Sequence, residues 1–358
     1  ISMHIKKPPG LIKRGKIYHI DARIGGRRVC ETCQTPELHV AVALLAKRRN
    51  EAREREQFGV RPVRTFEECT HRYAIENHNV KKSIEGDYSL INGLLPYIGH
   101  LPISAVNDDA LVPFISDMRH KGRAPATINN YKKIVRRVVR LAAYVWRDEG
   151  GLTWLESAPK FTMLVDNNKR PPYPITIKEQ NDLFEELPSH LLPMANFAVS
   201  TGCRDREICN LQWAWEVPVA SFNTFVFRIP AEYVKNGEPR FVILNDDARR
   251  VVDQQRGKHP EYVFLYRDHP IKRMNNSAWR SARTRAGLAT VRVHDMRHTF
   301  ATRLRALGVS HEDRATLLGH KTGSITTHYS APDFRRLLGA VNKLCDPSLS
   351  DAEPIVLR

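Results

Sequence analysis

Leu318-Gly-His320-Lys-Thr-Gly-Ser-Ile-Thr-Thr-His-Tyr329 closes a series of motifs. The series runs back through His294-Asp-Met-Arg297-His298-Thr-Phe300 to Thr201-Gly-Cys-Arg204-Asp-Arg-Glu207. Two arginines, two or three histidines and one late tyrosine are residue types that together can cut a phosphodiester. A phenol attacks phosphorus only if cations take up the charge that grows on the non-bridging oxygens, and guanidinium forks match those oxygens in shape and sign. A single tyrosine is by default a core residue with a satisfied hydroxyl. Here the preceding motifs argue against that default.

Working outward, Thr201-Gly202 is a turn ahead of a helix whose first turn carries Arg204, so the positive helix end adds to the guanidinium. Glu207, at i+3, is read as orienting an arginine or capping the helix. Spacing alone does not choose between Arg204 and Arg206. His294 and Arg297, at i and i+3, share one face of a helix ending near Gly308 and can meet a single phosphate. Ser310-His-Glu-Asp313 caps a further helix that ends at Gly319 and presents His320 from its C-terminus. Thr224–Ile229 and Arg240–Leu244 read as short strands, with Asn236-Gly237 as a hairpin signal between them. Lys235 stands directly before that turn, where a lysine is most often a solubilising edge charge.

These motifs resemble the tyrosine recombinase (phage integrase) family, and the resemblance covers nearly the whole chain. It implies a site-specific recombinase that cuts and rejoins DNA without metal, cofactor or ATP, with Tyr329 as nucleophile of a 3′-phosphotyrosyl intermediate. By the family pattern Thr-Gly-x-Arg-x-x-Glu the catalytic arginine of the first motif is Arg204. Arg297 joins it on the non-bridging oxygens, His320 adds a hydrogen bond, His294 takes and returns the nucleophile's proton, and Lys235 is the general acid. One departure is Ile243, which stands where the family often has proline. A free phenol ionises near pH of about 10, and neighbouring cations favour the phenolate. No complete phosphate-binding loop is present. Nor is there a carboxylate cluster suited to two-metal chemistry, since Asn107-Asp-Asp109 and Asn245-Asp-Asp247 read as helix starts. Two rivals are a type IB topoisomerase, against which the basic arm and the C-terminal helix argue, and a catalytically inactive DNA-binding or architectural protein.

Charge agrees with a polyanionic partner. The 358 residues carry 56 Lys plus Arg against 39 Asp plus Glu, a net +17, and each neutralised phosphate releases counterions. Such a length predicts more than one domain. Residues 1–64 hold 15 Lys/Arg and 6 Asp/Glu. There Lys16–Ile24 alternates as a strand, Gly25-Gly26 suits a tight turn, Arg27–Cys33 returns, and Thr35-Pro36 starts an amphipathic helix to about Phe58. This resembles the family's arm-binding domain, with Lys13, Arg14, Arg27 and Arg28 as candidate DNA contacts. Residues 65–165 read as all-helical, broken at 99–102 and 121–125, and resemble the core-binding domain. In the helix from Thr127 to Trp146, Ile128, Tyr131, Ile134 or Val135, Val138, Ala142 and Val145 form the core stripe. Lys132, Lys133, Arg136, Arg137 and Arg140 lie beside it with no acid between Thr127 and Arg147, so these five are read as DNA contacts.

Asn167–Pro174 is polar and proline-rich, a linker spanning 166–175. Thr176-Ile-Lys-Glu179 is a capping box opening the catalytic domain, 176–345, with 346–358 as a tail. The fold class expected is therefore multidomain: a small α+β arm-binding domain, an all-α core-binding domain, and a mainly α catalytic domain with a small antiparallel sheet. Asp333–Leu344 reads as an amphipathic helix. In the family such a helix packs into a neighbouring protomer of a tetramer on DNA, and packing on its own domain is the competing reading. A host DNA-bending protein and a directionality factor are further partners the resemblance implies. The six cysteines are too scattered for a disulfide framework, and Cys30-Glu-Thr-Cys33 lacks the second pair a structural zinc site needs. Ile1-Ser2 ahead of Met3 reads as an addition to a native start, no secretory signal is visible, and no apolar run is long enough to span a membrane. The expected setting is the nucleoid-associated cytoplasm of a bacterial host.

Overall fold

The computed structural model describes residues 7–167, 170–320 and 331–346. It divides into two compact units, one ending at Lys169 and one beginning at Arg170.

The N-terminal unit opens with three antiparallel strands in sequence order: β1 (Leu11–Arg14), β2 (Ile17–Ile24) and β3 (Arg27–Thr32). Gly25 and Gly26 take φ of +57° and +75°, so the β2–β3 link is the two-residue turn whose twist suits a hairpin. β1 escapes the sequence reading, being only four residues long. Helix α1 (Leu38–Phe58) begins later than Thr35-Pro36, because the Thr35 hydroxyl accepts from Glu37 N–H at 3.1 Å in a turn ahead of the helix. Leu11, Ile20, Ile24, Cys33, Ala41 and Leu45 form a small core of their own.

A second core lies among α2 (Phe66–Asn77), α3 (Ile84–Ile98), α4 (Val112–His120) and α5 (Pro125–Tyr144). Thr65 caps α2 reciprocally with Glu68: its hydroxyl accepts from Glu68 N–H at 3.2 Å, and its own N–H donates to the carboxylate at 2.6 Å. Two expectations for α5 need correction. Val145 is 60% exposed because the helix has already ended at Tyr144, and Trp146 takes the buried place instead, donating its indole N–H to Glu76 at 2.7 Å. Lys132 is 3% exposed and its ammonium donates to Asp108 at 2.6 Å. That lysine sits on the core stripe as an internal ion pair and is withdrawn from the DNA contacts. Lys133, Arg136, Arg137 and Arg140 are exposed.

In the C-terminal unit, Thr176 and Glu179 form the expected capping box of α6 (Ile177–Glu186). The central helix α7 (Leu192–Thr201) is buried along most of its length and ends at Gly202, where φ is +61°. The chain continues through the short α8 (Asp205–Cys209) into a three-stranded antiparallel sheet of β4 (Glu216–Val219), β5 (Thr224–Ile229) and β6 (Arg240–Ile243). The sheet has one strand more than the sequence reading. Ile229 pairs with Arg240, so the β5–β6 connection is a ten-residue loop with a 3-10 turn at 231–233 rather than a tight hairpin. Then come α9 (Asp246–Asp253), the two-residue strands β7 (Leu265–Tyr266) and β8 (His269–Pro270), α10 (Ser277–Arg285), α11 (Val293–Ala306), α12 (His311–Leu318) and α13 (Ala331–Asn342). Phe334, Leu337, Ala340 and Val341 of α13 are buried against Val226, Ile243, Phe300, Leu304 and Leu318. In the single chain this helix packs on its own domain. Among the described residues no helix is long and apolar enough to cross a membrane.

Candidate active site

Two glycines build the scaffold of the site. At Gly202 an added Cβ would lie 2.5 Å from the Phe300 ring, so only glycine lets the end of α7 close on α11. Gly202 thereby aims its carbonyl at Arg297, whose Nη1 donates to it at 2.6 Å, while Nη2 donates to the Leu318 carbonyl at 2.7 Å. Gly319, φ +59°, ends α12 and turns the chain into His320, whose N–H donates to Ala315 O at 2.9 Å. One guanidinium therefore ties together the ends of α7 and α12 from its seat on α11.

Arg204 stands at the N-terminus of α8 with a fifth of its side chain exposed. Glu207 fulfils both readings: its carboxylate accepts Arg204 N–H at 2.9 Å as a cap and Arg204 Nη1 at 2.8 Å as an orienting partner. Arg206 is exposed, which leaves Arg204 as the arginine of this motif that faces the cluster. Burial alone would raise the Glu207 carboxyl, but Arg240 and Arg204 outweigh it and hold it below the usual range.

The charges converge. Burial first, then Arg240 and Arg204, bring the Arg297 guanidinium down to about 9, which leaves it charged at neutral pH. Burial, then His298, Arg297 and Arg204, lower His294; burial, then Arg297, Arg204 and Arg240, lower His320. Both imidazoles are thus held neutral, able to accept at one nitrogen and donate at the other. His294 also meets His298 edge to face, with centroids 4.7 Å apart. Arg204, His294, Arg297 and His320 come from three separate segments to one place. Lys235 is exposed on the β5–β6 loop, and its neighbour Asn236 donates to Gly319 O at 3.0 Å, which fastens the loop beside His320. Tyr329 lies outside the described residues.

Sequence reading missed three supports. Arg240 is buried and donates to Glu207, and also to Leu317 O at 2.7 Å. Asp295 accepts from Arg170 at 2.9 Å and from Arg292 N–H at 2.7 Å. Thr299 accepts from Ile175 N–H at 3.0 Å, which with Asp295 seats the extended entry segment of the unit on α11. Only Asp295 had a local signal, its place three residues into a helix.

Of the arm candidates, Lys13 and Arg14 are exposed at the end of β1. Arg28 donates to Asp21 at 2.9 and 3.0 Å, and this bond holds the Asp21 carboxyl at about 2. The side chain of Arg27 lies outside the described residues.

Comparison with known proteins bears on this arrangement. Residues 175–336 match the phage integrase family. The integrase of Salmonella phage P22 is 27% identical over 339 residues, covering 84% of each chain. A tyrosine recombinase XerC of Erythrobacter litoralis is 29% identical over 237 residues, 62% of this chain and 73% of that one. Among solved structures, the Tn1549 transposon integrase in complex with circular intermediate DNA aligns over 76% of this chain and 98% of its own, at TM-score 0.57 and 17% identity. A lambda integrase dimer bound to a COC′ core site aligns over 90% and 95%, at TM-score 0.54 and 17% identity. These structural likenesses concern the fold: several domains, mainly helical, with small antiparallel sheets.

Proposed function

We propose, from the premise that this chain belongs to the phage integrase family through residues 175–336, that it is a site-specific DNA recombinase, the integrase of a phage or other mobile element. The observation that carries the mechanism is the convergence of Arg204, Arg297, His294 and His320 on one place beside the Lys235 loop. Two guanidiniums held by buried partners stabilise a pentacoordinate phosphorus better than mobile ones, because no reorganisation is needed as charge develops. His294 takes the phenol proton, the Tyr329 oxygen bonds to phosphorus, the bond to the 5′ oxygen breaks, and the Lys235 ammonium gives that oxygen its proton. A 5′ hydroxyl from another strand reverses these steps, so the phosphodiester is rebuilt without ATP.

On this reading 176–345 is the catalytic domain, joined through 166–175 to a core-site domain at 65–165 and an arm-site domain at 1–64, with 346–358 as a tail. The exposed cations of α5 and of the N-terminal sheet, Lys13 and Arg14 included, contact duplex DNA. A lambda integrase tetramer has been solved on a Holliday junction. By likeness to it, the working form proposed here is a homotetramer on DNA in the bacterial nucleoid, assisted by a DNA-bending protein and a directionality factor.

The test is to trap wild type and Tyr329→Phe on nicked duplexes tiled across the DNA flanking the encoding gene. Covalent adduct with wild type alone is expected. Adduct persisting in Tyr329→Phe would assign the nucleophile elsewhere.

A further inference from the structure

Arg240 opens β6 with 3% of its surface exposed, and no motif marks it. One nitrogen donates to Glu207, the carboxylate that orients Arg204; another donates to Leu317 O at 2.7 Å and Thr201 O at 3.4 Å, the ends of α12 and α7. The loop that carries Lys235 runs straight into Arg240, and its Asn236 is fastened to Gly319 O at 3.0 Å. Gly319 in turn lies against the Arg240 side chain, where an added Cβ would come within 2.7 Å of Cδ. A single buried side chain thus borders the start of α8, the ends of α7 and α12, and the loop that carries Lys235.

An arginine is an expensive way to fill such a space, since an apolar residue of similar volume commonly serves stability as well or better. We propose that Arg240 is a positioning residue: buried away from DNA, it aligns Arg204, the Lys235 loop and His320 for cleavage, a reading that rests on the recombinase function above. Its charge keeps Glu207 ionised against the effect of burial and adds to the positive field at Arg297 and His320. Among the described residues, the other charged and titratable groups facing Glu207 are Arg204 and Cys203 from its own segment and Arg297 from α11.

The experiment uses the full chain as wild type, Arg240→Met, Arg240→Lys and Arg240→Met/Glu207→Gln. The probe is the same set of nicked flanking duplexes. Single-turnover adduct formation at saturating duplex is followed between pH values of about 5.5 and 8.5, alongside duplex affinity and the thermal midpoint. Arg240→Met should slow the adduct step roughly 100-fold while affinity stays within about threefold, because phosphate contacts elsewhere are untouched. Its acid limb should move to higher pH, since Glu207 keeps one cation fewer and protonates more readily. Arg240→Lys should recover part of the rate. The double variant, which leaves no buried carboxylate short of a cation, should lose the added acid limb yet remain slow. Cleavage within about threefold of wild type by Arg240→Met, or by the double variant if the single one does not fold, overturns the proposal. So does a parallel fall of affinity, rate and midpoint, which would make Arg240 structural only. Wild type without adduct on any duplex removes the recombinase reading, and this proposal with it.

Discussion

Arg297 in the C-terminal unit is 5% exposed, with both terminal nitrogens bonded to main-chain carbonyls, whereas Arg136, Arg137 and Arg140 on α5 of the N-terminal unit stand in solvent. Burying a guanidinium costs solvation that only well-placed acceptors offset, so a buried arginine has one orientation. An exposed one keeps its rotamers and its water. The first kind suits a charge that appears at one point during a reaction, the second a phosphate backbone that is the same at every step. On the proposed function, Arg297 would serve the reacting phosphate and the exposed arginines of α5 the duplex backbone.

The largest expected effect tests the buried kind. Arg297→Gln should lower single-turnover cleavage about 10²- to 10³-fold with little change in duplex affinity. Arg297→Lys should fare little better, because one ammonium cannot span the Gly202 and Leu318 carbonyls as a planar fork does. Equal losses of affinity and rate would erase the distinction between the two kinds. On the exposed side, Arg136→Ala/Arg140→Ala should weaken duplex binding and flatten its salt dependence by about 0.9 log unit per log unit of salt for each phosphate no longer neutralised, while cleavage at saturating duplex holds. An unchanged salt slope would take these residues off the DNA.

Lys132 sharpens the boundary, since it lies on α5 but belongs to the interior. Lys132→Met should cost roughly 1–3 kcal/mol in thermal or urea unfolding by leaving Asp108 without its ammonium. The salt slope of binding should not move, and a change there would return Lys132 to the DNA contacts. The smallest effect is with pH. His294, His298 and His320 are all held below the ordinary imidazole value, with burial the first cause. The unfolded chain takes up these protons near pH of about 6.5 and the folded one resists, so folding is favoured above that pH and weakens as pH falls. The thermal midpoint should drop modestly on going from neutral to mildly acidic buffer, and a rise would contradict the neutral, buried state of these rings.

Short-range signals in the sequence carried well wherever the decisive partner was a few residues away. The Thr176–Glu179 box, the Ser310 cap, the glycine turn at 202, the glycine stop at 319 and the i, i+3 pair His294 and Arg297 are all local devices, and each stands where the pattern put it. Elements of two to four residues such as β1, β4, β7 and β8 are too short to show a period, and Pro218 inside β4 argues against a strand by composition.

From its sequence alone this protein has its domain-scale charge, several of its helix boundaries and the identities of most residues that gather at the site, because each of these follows from composition or from neighbours along the chain. Only the tertiary structure assigns Lys132 to Asp108, 24 residues away, and Arg240 to Glu207, 33 residues away. It also seats α13 on its own domain. A charged side chain reads the same in sequence whether it meets water or a buried carboxylate, and which of the two it meets is decided by long-range packing.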